Sequence, residues 1–363
     1  MTAPSYYNGA PFRGVRHIIG VVAGKGGVGK STLTAQLARA YQHLGYRVGV
    51  LDADIYGPSQ SILLPATQLP FVQEDGRVRP ADSSGIRLMS AAFLPNWGAL
   101  AVVRAPIANA LIQQFVQDVE WGELDLLLVD FPPGTGDIPI TLTQALPFSG
   151  LVACSQPQRL CTMEVMRALR HGRDAGIPLL GLVENMVGYR TPDGEWIDLF
   201  GSGEAHSLVK QFNIMSYLGL PFVPSLAGLS DRGGHCFEPG LDHPWRKPLE
   251  SYARLLLRQI EANGEPSSVT TQWVKLDDGH LGFCTEPGLW RKIAVCDVIE
   301  RCPCVRCRSG GFPRRGTKGT EVLVAVEPIG SYAVRLEVRN GCSHGIYPMA
   351  WLEELGEECV HNG

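Results

Sequence analysis

"GKGGVGKST", residues Gly24 to Thr32, sets the architecture of this chain. It follows the apolar run "HIIGVVA" (17–23), opens the helical pattern "KSTLTAQLARAYQHLG" (30–45), and matches the G-x4-G-K-[ST] spacing at Gly24, Gly29, Lys30 and Ser31. Such a loop, with Gly26, Gly27 and Val28 between its outer glycines, lets backbone N–H groups converge on phosphate oxygens, and the helix start adds the positive end of its dipole. Lys30 is expected to reach the outer phosphates and Ser31 to ligate magnesium, with Thr32 completing the loop. A second lysine, Lys25, stands directly after the first glycine, where one phosphate loop does not require it. From the residues alone it is either a functional cation or a solvated loop lysine.

A magnesium nucleotide site also needs a carboxylate at the end of a neighbouring strand, and "LDLLLVD" (124–130) ends in Asp130. The following "FPPGTGD" supplies Gly134, able to approach a γ-phosphate, and Asp137 behind it, so this segment reads as a switch. "LDADIYGPS" (51–59) places Asp52 and Asp54 two apart, on one side if the strand continues that far. Asp54 is the candidate for positioning or deprotonating the attacking water and for helping to hold the metal; the alternative is that the pair caps the next turn. Asn185, ending "PLLGLVEN", is the candidate reader of an adenine edge, the alternative being a turn former.

Beyond the loop, "YRVGVLDAD", "LDLLLVD", "GLVACS", "PLLGLVEN" and "YLGLPFV" are near-continuous apolar runs that suit strands covered on both faces. Their alternation with helical patterns predicts an α/β fold with a doubly wound, mostly parallel sheet. "WRKPLESYARLLLRQIEANG" reads as its closing helix, ending at Gly264. The expected organisation is a tail over 1–16, a P-loop ATPase-like domain over 17–263, a linker over 264–270, and a small α+β domain over 271–363. In that last part "WVKLDDGHLGF" reads as a hairpin turning at Asp278-Gly279, "TEVLVAVEPIG" and "YAVRLEVRNG" as strands, and "LWRKIAVCDVIE" as an amphipathic stretch between them.

The 363 residues exceed one typical domain, and 45% hydrophobic with 19% charged residues is ordinary globular composition. A net charge of −4 gives no basic surplus for nucleic acid or an anionic membrane. The start has no unbroken apolar core after a basic end, and no run approaches the ~18 apolar residues of a membrane span. A cytoplasmic protein with neither partner is expected. Ten cysteines in a reducing compartment then read as metal ligands or redox groups rather than disulfides.

Together, "GKGGVGKST", "DADIYGPS", "WGELDLLLVDFPPGTGD" and "LGLVENM" resemble the Mrp/ApbC family of deviant Walker A ATPases, relatives of MinD, ParA and the nitrogenase iron protein, over roughly 14 to 262. The resemblance implies ATP binding and hydrolysis by a homodimer, in which Lys25 crosses the interface to the partner's nucleotide, and a role in assembling or delivering iron-sulfur clusters to apo-proteins or with cluster-assembly proteins. Cluster-bearing members have a C-x2-C pair shortly after the strand ending in asparagine. Here that region reads "NMVGYRTPDGEWIDLFGSG", without cysteine. Cys154, Cys161 and Cys236 read as buried thiols rather than ligands.

The strong thiolate array lies elsewhere. "RCPCVRCRSG" spaces Cys302, Cys304 and Cys307 as C-x-C-x2-C, and "NGCSHGIY" offers Cys342 or His344 to close a tetrahedral site. With "VEPIGSYAV" and "GIYPMAWLEELG", this part resembles the zinc-binding N-terminal domain of gamma-butyrobetaine hydroxylase over about 269 to 356. That resemblance implies zinc, whereas a four-cysteine set also suits an iron-sulfur cluster. Two other readings stand beside the cluster-handling ATPase: a MinD- or ParA-like positioning switch, which the acidic ending "WLEELGEECVHNG" disfavours, and an ATPase whose zinc module only recruits a partner.

Overall fold

The computed structural model describes residues 12, 14–94, 105–201 and 205–264, and towards the C-terminus 272–275, 279–286, 289–300, 302, 322–329, 333–339, 346–348, 352 and 355–359. Its centre is a nine-stranded sheet. Across the sheet the strands run Trp196–Ile197, Leu179–Arg190, Gly150–Ser155, Val15–Ala23, Leu124–Asp130, Val48–Asp52, Ile86–Ser90 and Ala81–Ser83, and Tyr217–Phe222 also pairs with Leu179–Arg190. The interior pairings are parallel, and the two short edges, Trp196–Ile197 and Ala81–Ser83, are antiparallel.

The apolar runs form strands because both faces are covered. Gly150–Ser155 and Val48–Asp52 are buried at every position. Along the first strand the period of two sorts the side chains, sending Ile18 and Val22 to one face and Ile19 and Val21 to the other. The first face packs on Ile112, Leu142, Leu169 and Val209, from the helices Ala105–Asp118, Asp137–Ala145, Arg159–Asp174 and Ala205–Phe212. The second packs on Leu37 and Tyr41 of Lys30–His43 and on Leu249 and Tyr252 of Arg246–Gly264. At about 1.5–3 kcal/mol for each large apolar side chain buried, these two interfaces supply the bulk of the stabilisation. The doubly wound sheet is thus observed, with its first strand starting at Val15 and Phe12 already buried beneath it.

The second strand stops at Asp52. Asp54 therefore lies beyond it, so the condition for the two carboxylates to share one side of a strand is not met, and both accept from N–H groups of the following turn. The strand containing Asn185 runs past it to Arg190 and turns back through Trp196–Ile197, so the cysteine-free segment is largely a hairpin.

Towards the C-terminus, Gln272–Lys275 and His280–Glu286 pair antiparallel as the expected hairpin, continued by Leu289–Ala294 and Glu357–Cys359. Val322–Ile329, Ala333–Arg339 and Ile346–Pro348 form a second, three-stranded sheet. "LWRKIAVCDVIE" divides into the strand Leu289–Ala294 and the helix Val295–Glu300, because its apolar positions satisfy both periods over so short a run. Leu281, Phe283, Ile293, Val298, Leu336 and Tyr347 belong to a separate core. Among the described residues no helix is long and apolar enough to cross a membrane.

Candidate functional site

The site forms where the first strand ends, between Leu124–Asp130 and Gly150–Ser155. This is the carboxyl end of a parallel sheet, where open α/β folds bind ligands. Two of the loop's glycines, Gly24 and Gly29, are demanded by close approach. A Cβ on Gly24 would lie 2.2 Å from the backbone of Glu164 and Val165, so the loop presses directly on the helix Arg159–Asp174. Gly29 has φ of 90°, and a Cβ there would lie 2.3 Å from the Asn185 amide nitrogen.

Asn185 Nδ2 donates to the Val28 carbonyl at 2.9 Å, and its Oδ1 accepts from Met186 N–H at 2.9 Å. Its side chain is 4% exposed. The asparagine thus packs against the phosphate loop from the neighbouring part of the sheet. Cys154 Sγ contacts the same carbonyl at 3.6 Å, and Gln156 Nε2 donates to the Gly27 carbonyl at 3.3 Å. The loop is held from behind by three side chains of the sheet end.

At the helix start, Lys30 Nζ lies 2.5 Å from Asp130 Oδ1 and 3.1 Å from Ser31 Oγ. Asp130 is fully buried and Lys30 is 6% exposed. Thr34 donates to Asp130 Oδ1 at 3.1 Å, and Gln60 Nε2 donates to Asp130 Oδ2 at 2.8 Å. The predicted lysine, hydroxyl and carboxylate are therefore brought together.

Asp52 lies beside Asp130 in register. Its Oδ2 accepts from Ser59 N–H, Gln60 N–H and the Ser90 hydroxyl at 3.1, 3.1 and 2.9 Å, and its Oδ1 accepts from Asp54 N–H at 3.3 Å. Burial, followed by the adjacent Asp130 charge, pushes the Asp52 carboxyl up to about 7 against these hydrogen bonds. Asp52 is thus the anchor of the loop carrying Asp54. Asp54 itself is partly exposed, accepts from Gly57 N–H at 3.3 Å, and is raised by burial while Lys30 opposes the shift.

Gly134 N–H donates to the Ala23 carbonyl at 3.0 Å, docking the "FPPGTGD" segment against the end of the first strand. Asp137 is exposed at the first position of its helix, and among the described residues no hydrogen bond or ion pair joins it to the Lys30 cluster. Lys25 is half-buried and makes neither kind of contact among them. Thr34 and Gln60 carry no motif signal, since their contacts to Asp130 span 96 and 70 residues.

Of the thiolate array, Cys302 is described. It is 5% exposed in the C-terminal core, its N–H bonded to the Ile299 carbonyl at 3.0 Å. Cys304, Cys307, Cys342 and His344 lie outside the described residues. Cys154, Cys161 and Cys236 are buried, and burial pushes the Cys154 and Cys236 thiols up to about 12, away from the thiolate form that metals bind.

Comparison with known proteins agrees with this geometry. Residues 278–353 match the gamma-butyrobetaine hydroxylase-like N-terminal domain. The iron-sulfur cluster carrier protein of Deinococcus radiodurans is 42% identical over 249 residues, 68% of this chain and 71% of that one. The cytosolic Fe-S cluster assembly factor NUBP2 of Bos taurus is 39% identical over 257 residues, 69% of this chain and 95% of that one. Among solved structures, a nucleotide-binding protein from Archaeoglobus fulgidus in complex with ADP is 38% identical with a TM-score of 0.54, covering 61% of this chain and 88% of that one. The cell division ATPase MinD of Pyrococcus furiosus, at 19% identity and a TM-score of 0.50, shares the fold. Residues 14–257 match the ParA family model described as NUBPL iron-transfer P-loop NTPase, and the chain belongs to that family.

Proposed function

We propose that this chain is a magnesium-dependent ATPase, working as a homodimer, that carries iron-sulfur clusters to apo-proteins. The observation that carries the ATPase part is the buried meeting of Lys30, Ser31 and Asp130 at the mouth of the glycine loop. Magnesium fits this donor set. It takes hard oxygen ligands, needs only one or two from protein, and finds a hydroxyl and a carboxylate here within reach of one ammonium group. When bound it would neutralise charge on the transferring phosphoryl group.

The chain's own residues do the rest. Backbone N–H groups of Gly26 to Lys30 cradle phosphates, and Lys30 leaves Asp130 for the outer phosphate oxygens. Asp54, on a loop tied to Asp52, orients the attacking water. Lys25, uncommitted among the described residues, serves the partner's nucleotide, where a cation entering in trans stabilises developing charge.

The relatives named as cluster carriers support the cargo assignment. The Asn185 hairpin has no cysteine, and the C-x-C-x2-C spacing assigns the thiolates for metal to Cys302, Cys304, Cys307 and Cys342, with His344 as the alternative fourth ligand. Asp54→Ala should retain ATP binding while hydrolysis falls at least tenfold. Undiminished turnover in that variant would remove Asp54 from the mechanism.

A further inference from the structure

Gln60 is fully buried, yet it lies on the loop that follows Asp54, at the start of a single helical turn, Gln60–Leu63. Its side chain reaches two other elements. Nε2 donates to Asp130 Oδ2 at 2.8 Å and to the Ser31 carbonyl at 3.0 Å. Both partners are acceptors, so the atom facing them is the amide nitrogen and the orientation of the carboxamide is determined. Its backbone N–H donates at 3.1 Å to Asp52, which also accepts from Asp54 N–H. One residue thereby joins the carboxylate and the loop turn of the metal site to the loop bearing the hydrolytic carboxylate.

The other end of the amide shows what this arrangement costs. Gln60 Oε1 is buried and has no hydrogen-bond partner among the described residues. A buried acceptor left unpaired opposes folding, and an apolar side chain of similar length would remove that cost while leaving Asp130 Oδ2 without its donor. What the amide contributes against that cost is its two donor contacts, to Asp130 Oδ2 and to the Ser31 carbonyl.

We propose that Gln60 is a positioning residue of the ATPase reaction: it orients Asp130 and the Ser31 turn for magnesium and couples them to the Asp54 loop. This rests on the ATPase reading above. Gln60→Met keeps length and removes the amide, whereas Gln60→Glu keeps the shape and sets a carboxylate against Asp130. The test measures uptake of Mn2+, standing in for magnesium, by the full chain with ADP, using electron paramagnetic resonance, together with melting temperature and ATPase kinetics.

Mn2+ affinity should weaken about tenfold in Gln60→Met, as when groups that orient metal ligands are removed. Its melting temperature should fall only slightly, because the unpaired Oε1 is removed together with the donor to Asp130 Oδ2, with kcat reduced and KM for ATP little altered. Gln60→Glu should lose more kcat than Gln60→Met. Unchanged Mn2+ affinity and kcat in Gln60→Met would overturn the inference, as would a loss of activity accompanied by an equal loss of thermal stability. If the wild-type chain itself takes up no Mn2+ with ADP, the nucleotide reading falls and this inference with it.

Discussion

Lys30 and Asp130 are 100 residues apart in sequence and 2.5 Å apart in space, with the lysine 6% and the aspartate 0% exposed. Asp52 adjoins Asp130 in the sheet register, so Lys30 is the cation that offsets two neighbouring buried carboxyls. Lys30→Ala should abolish nucleotide binding and also destabilise the chain by about 3–5 kcal/mol, the cost of leaving a buried charge unpaired. Adding Asp130→Asn should recover part of the stability without recovering binding. Denaturant unfolding of both variants beside an ATP-binding assay checks the two effects separately.

Lys25 has no partner within its own chain among the described residues, which makes its role open to a mixing experiment. Lys25→Ala subunits keep Asp54, and Asp54→Ala subunits keep Lys25. If Lys25 acts in trans, a mixed dimer has one site with its own Asp54 and an incoming lysine, and the other site has neither. Equal mixing makes half the dimers mixed with one complete site in two, so about a quarter of the wild-type rate should return from two inactive variants. If Lys25 acts within its own subunit, every site stays defective and no activity returns.

Much of this was legible from residues. The interior strands announced themselves because burial on both faces forces continuous apolar runs, and the phosphate loop because its spacing is set by chemistry shared by every such loop. The pair Asp52 and Asp54 was not, since a period of two says which side a residue faces only while the strand lasts, and this strand ends at Asp52. The hold of Asn185 on the loop leaves no local trace either, because its contact to Val28 spans 157 residues and its strand runs on past it to Arg190. Gln60 was invisible for the same reason. The short edge strands Ala81–Ser83 and Trp196–Ile197 are too brief to carry a period.

Glu184 supplies a pH test away from the nucleotide chemistry. Tyr217 donates to its Oε2 at 2.6 Å, while Oε1 is buried without a hydrogen-bond partner among the described residues. Burial first, and then the Asp198 charge, raise its carboxyl above the ordinary value of 4.5, against the tyrosine's hydrogen bond. The folded state therefore holds the proton more tightly than the unfolded chain. Its contribution is fully present below pH 4.5 and is lost as pH rises through the higher folded value, at no more than ~1.4 kcal/mol per pH unit. Glu184→Gln should remove this component, so that melting temperature falls less with pH over that window than in the wild type. Identical pH profiles would show that Glu184 is not a source of the dependence.

The thiolate site carries the remaining prediction. Cys302 is already packed in the C-terminal core just after the helix Val295–Glu300, two residues before Cys304 and five before Cys307, so a metal bound there would be tied directly to the folding of that part of the chain. In full-length protein purified without oxygen, elemental analysis should find metal at the four-ligand site. Zinc alone would mark a structural module, whereas iron with acid-labile sulfide and a visible charge-transfer spectrum would mark a cluster carried at these cysteines. Cys304→Ser should lose the metal and lower the stability of this part, while the nucleotide site, built on a separate core, should still bind ATP. Between the candidate fourth ligands, Cys342→Ala should release the metal if the site has four cysteines and His344→Ala if the histidine closes it. Full metal content in the double variant would show that neither does, and full content in Cys304→Ser would reject the array itself.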